Sequence, residues 1–368
     1  MSRGSWTLRL QRNFDVGLDA GFDADDESQN HRTNEGATPM ITRRTILPLL
    51  GSLPFGGFAL ASPGGSEATQ DRPETRILLG GDVMLSRYVG RVAREHNDPA
   101  LPLRELAPVL SAADIAFVNL EAPFSDKGRV VDAGMVFKAE PEMISALELA
   151  GIDVVSTANN HARDCNGYGV EFTLKWLAQH HIAVAGTGKT AEAAHEGTVL
   201  IRNGLRFGFL AYTYDQANGN HTDVDDRIAM MDVDDLRDDI AQMLGHADVV
   251  IVSMHAGLEY SPRPNKQQMD FARAAIDSGA AVVVGHHPHV VQPWQRYRDG
   301  VIFYSLGNLV FDQFQRQETQ HGLLAQVTFS GKMVSRAEVL PVDIVKTGPK
   351  AAPAVPASLA APSSLGGD

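Results

Sequence analysis

Cysteine is almost absent from this chain, since Cys165 is the single cysteine in 368 residues. One cysteine cannot form an intramolecular disulfide, and it cannot build a metal site from several thiolates. A lone cysteine can act as a nucleophile, but the sequence specifies no general base next to Cys165. Any metal site in this chain is therefore expected to use oxygen and imidazole ligands.

An excess of positive charge is also missing. The 32 Lys and Arg residues are outnumbered by 45 Asp and Glu residues, so the net charge is −13. Nucleic-acid-binding proteins present a basic face to the phosphates, so this balance argues against a nucleic-acid partner. An anionic substrate would need a local positive site, such as a bound metal ion.

No long uninterrupted apolar run is present. The apolar stretch at 41–62 contains Pro and Gly and is too short to predict a membrane span. Arg43 and Arg44 precede it, and it ends in the small residues 59–61. This pattern predicts a twin-arginine signal peptide at 40–61, and therefore a periplasmic or other extracytoplasmic protein. A buried helix or an uncleaved membrane anchor is the alternative.

Polar segments lie on both sides of the predicted folded region. Residues 1–39 are Asp-rich and show no periodicity, so we expect a disordered or mis-annotated extension with Met40 as the true initiator. Residues 350–368 are rich in Ala, Pro and Ser, which predicts a disordered tail. The folded domain is predicted at 72–346, and it contains no internal repeat at solenoid periods.

Six short apolar runs, many of them β-branched, end abruptly in polar residues. Runs of this length indicate strands that are buried on both faces. In chain order they are RILLGGD (76–82), DIAFVNLE (114–121), DVVSTANNH (153–161), DVVIVSMHAG (248–257), AVVVGHHPH (281–289) and VIFYSLGN (301–308). Helical patterns lie between several of them, at 141–151, 168–181, 233–247 and 264–280. This alternation predicts an α/β fold.

The polar ends of these runs are expected to form one site, because α/β folds bind ligands beyond the carboxyl ends of their strands. The collected side chains are Asp82, Asn119, Glu121, Asn160, His161, His255, His287 and His289. Carboxylates, amides and imidazoles suit Mn, Fe, Zn or Mg, as one or two divalent ions. Taken singly, a strand-end histidine or an Asn pair has an ordinary structural explanation. Five segments with compatible ligands favour a shared metal site.

The histidine cluster at 286–289 has its own predicted geometry. Pro288 favours an extended backbone at His287. In an extended chain, residues two apart point to the same side. We therefore expect His287 and His289 to face the metal and His286 to face away, in a structural or supporting role.

At these motifs the sequence resembles the CapA family of poly-γ-glutamate capsule biosynthesis proteins, which have a calcineurin-like metallophosphatase fold. The resemblance covers residues 75–330 and implies a four-layer α/β/β/α sandwich. The matching motifs are GDVMLSR (81–87), FVNLEAPFS (117–125), STANNHARD (156–164), SMHAGLEY (253–260), GHHPHVVQ (285–292) and YSLGNLVFDQ (304–313).

The resemblance also implies roles for individual residues. His161 is the implied catalytic residue, which protonates or orients the leaving group. The implied metal ligands are Asp82, Glu121, Asn160, His255, His287 and His289. Substrate-binding or supporting roles fall on Asn119, Arg87, Asp164, Glu259 and Asn308, and for Arg87, Glu259 and Asn308 an ordinary bracing role stays open.

Three positions depart from the patterns that the resemblance brings. Met84 stands where metallophosphatases have the histidine of their D-x-H motif, and Glu121 replaces the usual bridging aspartate. These changes imply one tightly bound ion with a weak or absent second one. Ala256 replaces the tryptophan that usually follows the motif histidine, and this change is expected to widen the pocket.

Two functions follow from the resemblance. The first is a metal-dependent hydrolase that uses a metal-activated water in the synthesis, export or processing of poly-γ-glutamate or a related anionic capsule polymer. The second is a non-catalytic polymer-binding component of a complex with membrane-bound capsule synthase subunits, which Met84 favours. A general phosphodiesterase would rest on fold analogy alone. No sequence feature separates the first two.

Overall fold

Two β-sheets form the framework of the protein. The computed structural model describes residues 74–128, 134–215 and 225–346, and the backbone of 348–351. All of them belong to the second of the two compact units into which the chain separates, residues 68–368. The predicted extension at 1–39, the predicted signal peptide at 40–61 and the predicted tail from 352 onward lie outside the described residues.

Each of the six predicted apolar runs overlaps at least one strand, whereas the other strands were not predicted from the sequence. In chain order the strands are β1 (Glu74–Val83), β2 (Ile115–Leu120), β3 (Val154–Ser156), β4 (Ala183–Ala185), β5 (Thr198–Arg202), β6 (Leu205–Thr213), β7 (Val249–His255), β8 (Val282–His286), β9 (Trp294–Tyr297), β10 (Gly300–Phe303), β11 (Asn308–Val310), β12 (His321–Ser330), β13 (Met333–Val345) and β14 (Gly348–Ala351).

Helices occupy the segments between the strands. They are α1 (Arg87–Glu95), α2 (Ala107–Leu110), α3 (Ile144–Ala150), α4 (Asn166–Gln179), α5 (Ala191–Glu196), α6 (Val233–Leu244) and α7 (Lys266–Asp277), with 3₁₀ turns at Leu101–Leu103, Pro141–Met143 and Glu318–Gln320. The four predicted helical patterns correspond to α3, α4, α6 and α7. Within the described ranges, none of these helices has the length and apolar character needed to cross a membrane.

Local signals in the sequence explain where several helices begin and end. The Asp232 side chain accepts hydrogen bonds from two backbone N–H groups at the start of α6. Asn265 and Gln268 form a capping box at the start of α7. Helix α3 ends at Gly151, whose φ of 67° is the left-handed conformation that glycine adopts without steric penalty.

The first sheet has the strand order β14-β13-β12-β1-β2-β3-β4, and β11 pairs with the end of β1. The second has the order β5-β6-β7-β8-β10-β9. The strands that carry or precede most of the predicted site residues run parallel within each sheet, as β1-β2-β3 and β7-β8. Their carboxyl ends therefore lie at a common edge of each sheet.

Side chains alternate along these strands between two apolar layers. In β1, Ile77 and Leu79 point into the core between the sheets, and Leu78 points into the core beneath the helices of the first sheet. In β7, Val249 faces the other sheet and Val250 faces the core under α6 and α7. Helices thus cover both outer faces, and the predicted four-layer α/β/β/α sandwich is confirmed.

The described fold extends beyond the predicted boundary at residue 346. Strand β14 pairs antiparallel with β13, and the partners include Asp343 with Lys350 and Val342 with Ala351. The prediction of a disordered tail from residue 350 is therefore wrong for its first two residues. Strand pairing satisfies their backbone groups even though an Ala- and Pro-rich segment has few side chains to bury.

Two glycines allow neighbouring chain segments to approach closely beside the site. A Cβ atom at Gly81 would lie 1.9 Å from the carbonyl oxygen of Gly307, and one at Gly285 would lie 1.9 Å from that of Tyr304. Both obstacles are backbone atoms, which cannot rotate away. Any side chain at these positions would push β11 or β10 away from the strand ends.

We expect Gly285→Ala to lower the free energy of unfolding by about 2–4 kcal/mol, because the added methyl group overlaps backbone. Thermal or urea unfolding measures the change. Gly128→Ala is the matched control, since a Cβ atom there has no neighbour within 4 Å. Equal stability of the two variants would contradict the packing described here.

Candidate metal centre

The strand ends of the two sheets meet at one polar centre. In the first sheet, Asp82 of β1 is paired with Asn119 of β2, and Asn119 is paired with Ser156 of β3. In the second sheet, His255 of β7 is paired with His286 of β8. Paired residues on neighbouring strands share a face of the sheet. The polar side chains of each sheet therefore point toward the same place between the two sheets.

Asn119 connects the polar side chains of the two sheets. Its Nδ2 donates a hydrogen bond to Asp82 Oδ1 over 2.8 Å and lies 3.3 Å from His255 Nδ1. Asn159 Nδ2 in turn lies 3.3 Å from Asn119 Oδ1 and donates to the Leu120 carbonyl over 2.9 Å. Asn119 therefore orients an aspartate from one sheet and a histidine from the other.

Glu121 is a buried carboxylate without hydrogen-bond donors among the described residues. Its side chain is fully buried, and neither carboxylate oxygen accepts a hydrogen bond from any residue that the structure describes. Burial, together with the nearby charge of Asp82, raises the pKa of Glu121 well above its usual range. Ligand atoms of Asp82, Glu121 and His255 all lie within 4.8 Å of one another. A cation at this point would compensate both carboxylates.

Asp82 is ionised in spite of its burial. Loss of solvent disfavours its charge, but His286 and His289 outweigh that effect and hold the pKa of Asp82 well below its usual range. Each of these imidazoles has its Nδ1 atom 3.4 Å from an Asp82 oxygen. The His287 backbone N–H also approaches Asp82 Oδ2, at 3.3 Å.

Two further histidines of the centre, His255 and His287, are neutral. Burial, followed by the neighbouring His287, lowers the pKa of His255 well below its usual range. Burial also lowers the pKa of His287 to about 3. His255 Nε2 lies 2.8 Å from Asn160 Oδ1, and the rings of His255 and His287 are 5.0 Å apart. Neutral imidazoles and an amide oxygen are suitable metal ligands.

His289 is held with one nitrogen toward the centre. Asn308 Oδ1 lies 2.9 Å from His289 Nδ1, and His289 Nε2 lies 3.6 Å from Glu121 Oε1. Asn308 is itself fixed, because its Nδ2 donates to the Gln313 side chain and the Thr319 carbonyl. A histidine whose second nitrogen is bound to a carbonyl group is the usual arrangement around protein metal ions.

These separations fit a divalent ion. Two ligand atoms that share an ion at about 2.0–2.2 Å stand about 2.8–3.6 Å apart. The contacts of Asp82 with His286 Nδ1, of Glu121 with His289 Nε2 and of His255 with Asn160 all lie in that range. The residues that could hold ions fall into two groups around Glu121: Asp82, His286 and His289 on one side, and Asn160, His255 and His287 on the other.

His161 lies next to the ligands and is held by Asp164. Its Nδ1 atom is 2.6 Å from Asp164 Oδ2, which also accepts a 2.6 Å hydrogen bond from the Phe137 backbone N–H. A carboxylate only accepts, so Nδ1 is the donor. The Phe137 ring stacks on the His161 ring at 3.8 Å, and His161 Nε2 lies 4.0 Å from Glu121 Oε1. Nε2 therefore faces the centre.

The geometry predicted for the histidine cluster is wrong. Strand β8 ends at His286, and the backbone then turns into positive φ at His287 (94°) and His289 (58°) instead of staying extended. His286 faces inward, because it is paired with His255, and neither of its ring nitrogens has a hydrogen-bond partner among the described residues. Its cross-strand pairing with His255 would have revealed this direction, but pairing is not visible in a single sequence.

Two of the departures from the family patterns now have structural explanations. Met84 is fully buried in the core under the first sheet, and its sulfur accepts hydrogen bonds from Ser86, so this position offers no ligand. Ala256 is also fully buried and packs into the core under α6 and α7. The expectation that Ala256 widens the pocket is wrong, because the residue after His255 points to the opposite face of β7.

Arg87 and Glu259 lie at the rim of the centre. The Arg87 guanidinium is bound to Asp312, at 2.7 Å and 3.2 Å, and Asp312 is only 3% exposed. Arg87 also lies over the Phe137 ring, at 5.3 Å. Glu259 is exposed, and its charge contributes to the raised pKa of Glu121, after burial and the charge of Asp82.

The aromatic neighbours of the imidazoles were missed by sequence reasoning. Phe137 stacks on His161, the Tyr214 ring lies 4.8 Å from the His287 ring, and Phe311 lies 4.7 Å from His289. Phe311 lies inside a matched motif, Tyr214 directly follows the apolar run of β6, and Phe137 stands in a segment without a strand-end signal. These rings pack around the imidazoles and restrict their orientation.

Comparisons with known proteins agree with the motifs. The family model of the bacterial capsule synthesis protein PGA_cap matches residues 76–313. The PGA biosynthesis protein CapA of Bacillus subtilis (strain 168) is 32% identical over 273 residues, which cover 73% of this chain and 71% of that protein. The capsule biosynthesis protein CapA of Bacillus anthracis is 31% identical over 290 residues, 76% of this chain and 70% of that protein.

Among solved structures, this chain is similar to a phosphatase from Mycoplasma pneumoniae. The two are 13% identical, the TM-score is 0.47, and the match covers 74% of this chain and 94% of that one. The four layers described above define the fold of this chain independently of that likeness.

Replacing Glu121 by Gln tests the need for a cation. Without metal, we expect Glu121→Gln to stabilise the protein by about 1–2 kcal/mol, because a buried carboxylate without donors is replaced by a neutral group. The variant should bind less metal and gain less stability from added Mn²⁺ or Zn²⁺. Thermal unfolding with chelator or with metal, and metal content by mass spectrometry, measure both effects.

The matched control is Glu95→Gln, because the Glu95 side chain is 63% exposed on α1. It should change neither the metal content nor the stability gained on metal addition. If Glu121→Gln binds metal as tightly as the wild-type protein, Glu121 is not a ligand.

Proposed function

Because this chain belongs to the PGA_cap family of bacterial capsule synthesis proteins, we propose that it is a metal-dependent hydrolase that acts on poly-γ-glutamate or a related anionic capsule polymer. The observation that carries the proposal is the buried centre, in which two carboxylates and several imidazoles surround one point beside His161. Such a set of ligands has little structural use without a cation.

The proposed ion or ions are divalent, with Mn, Fe, Zn and Mg as candidates. A divalent ion at this centre would supply Lewis acidity and an activated water. Asp82 and His289 on one side, and His255 and Asn160 on the other, are the residues proposed to hold it, with Glu121 between them. Asn119 and Asn308 keep these ligands in position through the hydrogen bonds described above.

His161 is proposed to move the proton of the reaction. In hydrolysis of a γ-glutamyl amide, water adds to the carbonyl carbon, the C–N bond breaks, and the departing nitrogen gains a proton. His161 Nε2 faces the centre and can deliver that proton, while Asp164 holds Nδ1. In hydrolysis of a phosphoester, the same atom would protonate the departing oxygen.

Export by the twin-arginine route, with an extracytoplasmic site of action, is part of the same proposal. It is supported by Arg43 and Arg44 and by the apolar run that follows them. This location fits the names of the two Bacillus relatives, which are CapA proteins of PGA and capsule biosynthesis. Cooperation with membrane-bound capsule synthase subunits belongs to the proposal as well.

The second candidate function is a polymer-binding component without turnover. The observation that favours it is the burial of Met84, which leaves the D-x-H position without a ligand. A centre with a single ion would still attract an anionic polymer. The proposed partner is the same polymer in both cases, so turnover is the property that separates the two functions.

We expect His161→Ala to reduce turnover by about 10²–10⁴-fold while leaving the metal content unchanged, because His161 supplies a proton and is not a proposed ligand. His289→Ala should lower the metal content. Hydrolysis of poly-γ-glutamate and of an aryl phosphate measures turnover, and mass spectrometry measures metal.

His246→Ala is the matched control, since His246 is exposed on the turn after α6. It should keep both properties. Metal-loaded wild-type protein that binds the polymer without hydrolysing either substrate would favour the second candidate. Full turnover by His161→Ala would remove His161 from the reaction.

A further inference from the structure

An exposed arginine lies near the candidate metal centre, and no carboxylate of the described residues pairs with it. The guanidinium carbon of Arg316 stands 4.4 Å from the centre of the Tyr260 ring, and Arg316 forms no ion pair with any carboxylate in the described part of the chain. The Tyr260 ring centre is 6.4 Å from that of His289. These two separations place the Arg316 guanidinium within about 11 Å of the His289 ring.

A chain of hydrogen bonds connects this arginine to the proposed ligands. His289 is bound to Asn308, Asn308 donates to Gln313 Oε1 over 3.2 Å, and Gln313 Nε2 donates to the Tyr260 hydroxyl over 3.3 Å. The Tyr260 backbone N–H donates to the Pro288 carbonyl over 2.8 Å. The ring that supports the Arg316 guanidinium is thus fixed relative to the metal centre.

The loop that carries Arg316 is also held in place. Thr319 is 2% exposed, and its hydroxyl lies 2.6 Å from the Gln313 carbonyl and 3.0 Å from the Arg316 carbonyl. Gln320 Nε2 donates to the same Arg316 carbonyl over 2.9 Å. The backbone at residue 316 is therefore held by hydrogen bonds within its own loop.

Arg87, the other arginine near Tyr260, is not available to bind an added anion. Arg87 binds Asp312 through two of its nitrogen atoms, and removing it from Asp312 would leave a nearly buried carboxylate without its cation. Arg316 can bind an added anion without breaking an ion pair. The sequence motifs point to Arg87, whereas the contacts favour Arg316 as the anion-binding residue of this rim.

We propose that Arg316, supported by the Tyr260 ring, is a subsite for a carboxylate of the polymer next to the bond at the metal centre. The inference rests on the proposed function for its substrate. Each γ-linked glutamate carries one free carboxylate and spans about 6 Å of extended chain, so the subsite lies one or two residues from the centre. A guanidinium fork matches a carboxylate in shape and charge.

Glu259 is the opposing charge at this rim. Burial and the Glu259 carboxylate raise the pKa of Tyr260 to about 12, and Arg316 and Arg87 act in the opposite direction. Glu259 would repel a polymer carboxylate. The subsite therefore predicts different effects for Arg316 and Glu259. Loss of Arg316 weakens polymer binding, and loss of the Glu259 charge does not weaken it.

The test is equilibrium binding of a short, fluorescently labelled poly-γ-glutamate oligomer to the full-length, metal-loaded protein. We expect Arg316→Gln to weaken binding about 3- to 10-fold, the range of an exposed charge-assisted contact, and Arg316→Lys to weaken it less. An oligomer whose carboxylates are converted to neutral amides should bind the wild-type protein and Arg316→Gln equally. Metal content and thermal unfolding verify that the variants are folded.

Arg298→Gln is the control, because Arg298 is also exposed over a tyrosine ring, at 5.7 Å from the centre of Tyr297, and lies on the turn that precedes β10. Unlike Arg316 it has a carboxylate partner, Asp277, at 2.9 Å. That turn is at the amino end of β10, away from the metal centre. Arg298→Gln should bind the oligomer as the wild-type protein does.

Three results would overturn the inference: unchanged oligomer binding by Arg316→Gln, an equal loss for the charged and neutral oligomers, or a loss that affects only an aryl phosphate. The outcome is separate from that of the hydrolase proposal. Binding that depends on Arg316 without turnover would remove the hydrolase and keep the subsite. If the protein hydrolyses the polymer but its polymer binding does not depend on Arg316, the hydrolase proposal stands and the subsite is removed.

Discussion

The pair of buried carboxylates, Asp82 and Glu121, is the constraint around which the rest of the centre is built. Two negative charges cannot share a dry site unless cations or hydrogen-bond donors compensate them. Asp82 receives donors from Asn119 and from the backbone of the histidine cluster, and imidazoles lie against both of its oxygens. Glu121 receives no donor from the described residues. The surrounding asparagines and aromatic rings fix the side chains that would share an ion with it.

Much of this centre could be predicted because strand ends are visible in sequence. Apolar runs that stop at Asp82, Asn119 and His255 identify both the strands and their polar carboxyl ends, and parallel pairing then brings those ends together. The layer order came only from the family resemblance. What escaped prediction depends on tertiary contacts and on backbone conformation. The pairing of Arg87 with Asp312 joins residues 225 positions apart, and the positive φ of His287 contradicts the preference that Pro288 imposes on isolated chains.

The proposed function pairs an acidic protein with an acidic polymer, which requires local positive charge. The protein carries a net charge of −13, so long-range attraction of a polyanion is weak, and affinity must come from groups that the polymer touches. In the proposed function those groups are the ion at the strand ends and the guanidinium on Tyr260. Salt should screen the exposed guanidinium contact more than the contact with the buried ion.

The distribution of the proposed ligands over both sheets has a consequence for the order of folding and metal binding. Asp82, Glu121 and Asn160 come from the first sheet and its loops, whereas His255, His287 and His289 come from the second. In the proposed centre, the ligand set is complete only when the two sheets have docked, so the proposed ion would be captured after docking. Its binding free energy would then add to that of the apolar interface between the sheets and would couple the two halves into one cooperative unit. Metal capture would thus mark the completion of folding.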